Sequence, residues 1–82
     1  MSQYIATFFS HFGAIRYKKI CDTREVKARV MPVPRSLSSS CGTCVGYEAE
    51  EPIMEEKYLE ELEQIVKVLP GDKDSYEQVY SS

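Results

Sequence analysis

The sequence predicts an α+β fold with the order strand, helix, strand, strand, helix, strand. Three observations carry that reading. An apolar run rich in aromatic and β-branched residues stands near the amino terminus, Gln3 to Phe9. Clean alternation spans Glu25 to Met31, and apolar residues at helical spacing run through Ile53 to Leu69. At 82 residues the chain suits one domain, residues 1–82, and is too short for two good cores.

Gln3 to Phe9 has two apolar faces, Tyr4, Ala6 and Phe8 against Ile5, Thr7 and Phe9, which suits a central strand. Ser10 is placed to cap a helix over His11 to Cys21. Phe12, Ile15 and Ile20 or Lys19 lie along one side of that helix, with Ala14, Tyr17 and Cys21 beside them. Gly13, in its first turn, weakens helix propensity but lets a neighbour come close. Asp22-Thr23-Arg24 turns the chain. The next strand, Glu25 to Met31, points Val26, Ala28 and Val30 inward and Glu25, Lys27 and Arg29 outward. Pro32 and Pro34 end it, because proline cannot donate to a ladder.

A loop then runs to Gly42, followed by a short strand over Thr43 to Glu48. Thr43, Val45 and Tyr47 share one of its faces, Cys44 and Gly46 the other. Pro52 suits a first helical turn, and Ile53 to Leu69 is the long helix of the prediction. Met54 or Glu55, Tyr58, Leu59, Leu62, Ile65, Val66 and Leu69 make its stripe, and Pro70-Gly71-Asp72 stops it. Ser75 to Tyr80 reads as a final strand, polar enough to be an edge or to lie across another chain. With right-handed crossovers these elements assemble as a ferredoxin-like βαββαβ sandwich: a four-stranded, mostly antiparallel sheet with two helices on one face. The other sheet face stays partly bare, which predicts a partner there, most simply a second copy in a homodimer.

Apolar residues make up 43% of the chain, so a folded state is expected. The net charge of -3 argues against nucleic-acid binding. Charge is uneven: seven Lys or Arg lie between residues 16 and 35, and eight Glu between 48 and 63. Two solvated faces account for this most simply, and an approach that attracts anions is the alternative. No basic-then-apolar leader and no bilayer-length apolar run is present, so no membrane partner is expected. Three cysteines cannot all pair within the chain, which favours reduced thiols and a cytoplasmic location. There is no glycine-rich phosphate loop and no hydrolytic carboxylate spacing.

The chemistry gathers in Pro32 to Cys44. Cys41 and Cys44 have the spacing of a disulfide, a shared metal or a resolving pair. The residues after Cys41 read as extended rather than helical, unlike the usual redox geometry. Zinc needs four ligands and the pair supplies two, with Cys21 and His11 ten positions apart on the first helix. No metal and no cofactor is therefore expected. A metal bridging two chains stays a minor alternative, and a third reading is Cys41 as a nucleophilic or carrier thiol beside Gly42. Ser38, Ser39 and Ser40 offer donors for an anion, and Arg35 is the nearest cation. Cys44 reads as a resolving thiol or a buried strand residue, and Cys21 as a small helix hydrophobe. His11 reads as a surface histidine or a base near the loop.

Tyr4-Ile5-Ala6-Thr7-Phe8, Ala14, Val30-Met31-Pro32-Val33-Pro34-Arg35 and Ser39-Ser40-Cys41-Gly42 together resemble the selenium/sulfur carrier protein-like family. These are short bacterial and archaeal proteins, and a similar domain ends certain selenium-metabolism proteins. The resemblance runs from about Tyr4 to Glu48 and continues more weakly beyond. It implies carriage or delivery of sulfur or selenium on Cys41, with Pro34, Arg35, Ser40 and Gly42 as its surroundings and donor and acceptor proteins as partners. Cys44 has no fixed place in the family pattern. A carrier or binding protein is thus expected rather than an enzyme. The alternatives are a non-catalytic dimeric adaptor that uses the bare sheet face, and a thiol–disulfide switch through Cys41 and Cys44.

Overall fold

The computed structural model describes residues 2–37, 39, 41–54, 60–70 and 75–82. Strand β1 (Ser2–Phe8) leads into helix α1 (His11–Thr23), then β2 (Ala28–Pro32), β3 (Thr43–Ala49), β4 (Leu62–Val68) and β5 (Tyr76–Ser81). The strands form one sheet in the order β2-β3-β1-β4-β5, antiparallel at every pairing. The two-faced first strand is central, as its composition requires. Tyr4, Ala6 and Phe8 pack in the core beneath α1, Ile5 joins a smaller cluster on the other face, and Thr7 is fully buried between its neighbours.

Ser10 caps α1 by accepting the Gly13 N–H at 3.1 Å. The helix buries Gly13, Ala14, Tyr17 and Cys21, a stripe at helical spacing, and leaves Phe12 and Ile15 exposed. Gly13 has a packing reason: a Cβ there would sit 2.9 Å from Glu61 Cβ. Below the helix, Tyr17, Tyr47 and Ile53 close a hydrogen-bonded ring. The Ile53 carbonyl can only accept, so the single Tyr17 hydroxyl proton goes to it. The Tyr47 hydroxyl then donates to Tyr17 at 3.0 Å, and the Ile53 N–H donates to Tyr47 at 3.0 Å. This ring fixes the chain beyond β3 onto α1 without leaving a buried polar group unpaired.

The expected four-stranded, two-helix ferredoxin-like arrangement is not what forms. Among the described residues α1 is the one helix of seven residues or more, and the sheet has five strands. The second half of the expected long helix is strand β4, paired with β1 on one side and β5 on the other; residues 55–59 lie outside the described residues. Leu62, Ile65, Val66 and Leu69 satisfy a helical spacing, which is why they read as a stripe. Yet Ile65 enters the helix-side core while Val66 enters the cluster on the opposite face. A strand buried on both faces has no period of two to reveal it, and its three β-branched residues favour extended backbone.

The second strand starts at Ala28 rather than Glu25, because Glu25 takes a left-handed turn conformation with φ of 58°. Ala28 and Val26 pack against the core, whereas Val30, expected inward, is 40% exposed at the sheet edge. Pro32 is tolerated there because an edge strand leaves one side of its backbone unpaired. The loop after β2 then crosses the face away from α1. Val33 and Leu37 pack on Ile5, Cys44 and Val66 together with Tyr76, and Ser36 Oγ meets the Tyr76 hydroxyl at 3.1 Å.

Candidate functional site

The cysteine loop sits at the end of the sheet where β1 stops, α1 starts and β3 begins. Its two sides are tied. The Val33 N–H donates to the Gly42 carbonyl at 3.1 Å, extending the β2–β3 ladder past Pro32 and Thr43. Inside that closure the Leu37 N–H donates to the Pro34 carbonyl at 3.0 Å, a tight turn that carries Arg35 out to solvent. Gly42 has φ of 74°, and only glycine takes that conformation without strain. This left-handed step reverses the chain between Cys41 and Thr43.

Two bonds bracket Cys41 against the helix start. Ser39 Oγ donates to the Phe8 carbonyl at 3.3 Å, and His11 Nδ1 lies 3.0 Å from Thr43 Oγ1. Residues on either side of Cys41 are therefore fastened to the chain on either side of Phe9 and Ser10, so the thiol is held near the first turn of α1. Cys41 is half-buried, packs against the helix-side core, and its Sγ–H reaches the Thr43 carbonyl at 3.4 Å.

The other two thiols are sealed. Cys21 faces the core from α1, and burial, helped by Asp22, pushes its thiol up to about 11. Cys44 is fully buried, pairs with Thr7 and Met31 across the sheet, and its Sγ–H reaches the Pro32 carbonyl at 3.6 Å. Burial pushes its thiol up to about 11 as well, with Cys41 adding to the effect. The predicted faces of β3 hold: Val45 and Tyr47 turn to α1, Cys44 to the opposite face.

Of the residues singled out from sequence, the structure brings Ser39, Cys41 and Gly42 together at one end of the sheet. Ser39 spends its proton on Phe8. Arg35 is exposed on the turn, and Ser38 and Ser40 lie outside the described residues. His11 comes to the loop through Thr43; the sequence signal for this was only its place after a strand end. Among the described residues, no three His, Cys, Asp or Glu side chains gather as a metal site, and no helix is long and apolar enough to cross a membrane.

In this small antiparallel α+β domain one thiol, Cys41, is half-open in a braced loop, and burial keeps the other two, Cys21 and Cys44, protonated. The comparison of families agrees in class: the chain belongs to the family described as "Putative Se/S carrier protein-like", which matches residues 3–81. That description supports a general role in carrying selenium or sulfur. No curated protein and no solved structure matches the chain.

Proposed function

We propose that this protein carries sulfur or selenium on Cys41 between a donor and an acceptor protein, as a carrier rather than an enzyme. The observation that supports this most directly is the contrast among its three cysteines: Cys41 alone is partly open, in a loop shaped by Gly42 and fastened to the start of α1. The Cys41 thiolate attacks the outer sulfur of a donor persulfide. The donor's sulfur–sulfur bond breaks, a new one forms at Cys41, and the donor leaves as a thiolate. No electron is gained or lost overall. Delivery to an acceptor thiolate repeats the exchange, and selenium follows the same course.

A disulfide between Cys41 and Cys44 fits less well. Cys41 packs against the α1-side core and Cys44 within the cluster on the other face, where its thiol is fully buried. Intact-mass spectrometry after exposure to a small persulfide donor tests the proposal. The expected result is the added mass of one sulfur atom on the wild type and on Cys21→Ser, and none on Cys41→Ser. Equal loading of Cys41→Ser overturns it.

A further inference from the structure

The sheet face away from α1 is only partly covered. Val33, Leu37 and Tyr76 cover the end that holds Cys44 and Val66. Towards the other end, where β2, β3 and β1 lie side by side, the face opens into a groove of about 420 Å³. That volume falls within the range of sites for small organic ligands, roughly 300–1,000 Å³. Gly46 and Ile5 form the floor, Met31 and Val68 the apolar sides, and Lys27 and Arg29 part of the rim.

Gly46 has no backbone reason to be glycine. It pairs in register with Ile5 on one side and Arg29 on the other, no bulge interrupts either ladder of β3, and its φ is not positive. A glycine within a strand weakens it, and such a position often marks a close approach by another group. Here the missing side chain makes the hollow. A Cβ would lie 3.0 Å from Met31 Cε and 3.5 Å from Met31 Sδ. The flexible thioether is thus the one group lying over the floor, and it can move aside.

The rim carries two cations, Lys27 and Arg29, and one carboxylate, Glu48. Ala28 packs against the helix-side core, so its neighbours Lys27 and Arg29 point to the grooved face. Both are exposed, and neither forms an ion pair with a carboxylate among the described residues. The nearby Glu48 carboxylate accepts from the Gln3 amide at 3.3 Å. Two cations without an ion-pair partner among the described residues thus stand beside an apolar hollow and outnumber the Glu48 carboxylate on its lining, which favours an anionic group there.

We propose that the Gly46 groove binds a small organic acid with an apolar body. The acid group pairs with Lys27 and Arg29, and the body lies over Gly46 between Met31 and Val68. This site is separate from Cys41, and its test does not depend on sulfur loading.

Anilinonaphthalenesulfonate, an apolar aromatic body with one acid group, is a suitable probe for titration of the full chain, followed by fluorescence and by amide-resolved NMR. The expected result is saturable binding with shifts centred on Ile5, Arg29, Met31 and Gly46. Phenylnaphthylamine, the same body without the acid group, binds about tenfold more weakly or worse. Lys27→Gln with Arg29→Gln weakens the sulfonate by a similar factor, and Gly46→Leu, which fills the hollow, abolishes binding. Should Gly46→Leu fail to fold, the surface charge variant decides. Shifts centred on the exposed Phe12 and Ile15 of α1, unsaturable binding, an affinity unchanged in the charge variant, or a dimer that closes the groove would each overturn the proposal.

Discussion

In the folded protein one thiol of three should react. Burial takes Cys21 and Cys44 from an ordinary 9.0 up to about 11. At about pH 8 an ordinary thiol is roughly 10% thiolate, and one titrating near 11 is about 0.1%. The reactive form is therefore about a hundredfold scarcer at both sites before access is considered. Access lowers it further, because both side chains are fully buried and Cys44 lies in a strand paired on both sides. Reagent reaches them only through local opening. Cys41 lies in a loop and is partly open to reagent. An aromatic disulfide reagent that releases a coloured thiolate should show one fast equivalent in native buffer and two more after denaturant. Cys41→Ser should lose the fast phase. A fast phase of two or three equivalents, or one that survives Cys41→Ser, would show that the burial argument is wrong.

Three more outcomes follow from particular groups. Tyr17→Phe leaves the Ile53 carbonyl and the Tyr47 proton unpaired in the core, which should cost about 2–4 kcal/mol in urea unfolding. Tyr47→Phe should cost less, and the double variant should cost less than the two single losses added, because the ring is broken only once. Gly42→Ala meets no atom within 4 Å, so its cost is the left-handed backbone alone, about 1 kcal/mol, with slower sulfur loading of Cys41 and partial recovery in Gly42→Asn. Stability should hold up to pH 9.0 and decline towards about 11, because the folded chain keeps the Cys21 and Cys44 protons that the unfolded chain releases. Urea midpoints across that window check the sign, and Cys21→Ala with Cys44→Ala should lessen the slope below pH 10, above which the raised Tyr17 and Tyr47 hydroxyls add to it.

Much of the fold could be read from local pattern. The two-faced β1, the Ser10 cap, the alternation that puts Val45 and Cys44 on opposite faces, and the polar edge strand at the carboxyl end all depend on neighbours in sequence. Strand β4 could not be read this way. Its burial on both faces comes from β1, from β5 and from core residues far away in the chain, and Leu62, Ile65, Val66 and Leu69 suit a helix equally well. The site divides along the same line. Cys41 and Gly42 stood out by residue type, but the link from His11 to Thr43 depends on the pairing of β1 with β3 that sets Thr7 opposite Cys44. No short-range pattern encodes that register.

The sheet also bears on which sulfur chemistry the loop can support. A loaded carrier has a standing weakness: a second thiolate within reach attacks the inner sulfur, forms a disulfide, and releases the cargo as hydrogen sulfide. Cys44, three residues from Cys41, is the natural candidate for that reaction. It is restrained twice, by a thiol held protonated up to about 11 and by a position across the sheet from the core on which Cys41 packs. Those restraints suit storage rather than discharge. Removing the restrained thiol should therefore change little: Cys44→Ala, loaded with sulfur and followed by intact mass, should lose its cargo at the wild-type rate. A switch built on both cysteines predicts the opposite, a much longer-lived load in Cys44→Ala and a disulfide in the discharged wild type. Either of those results would move the assignment from a carrier to a redox pair.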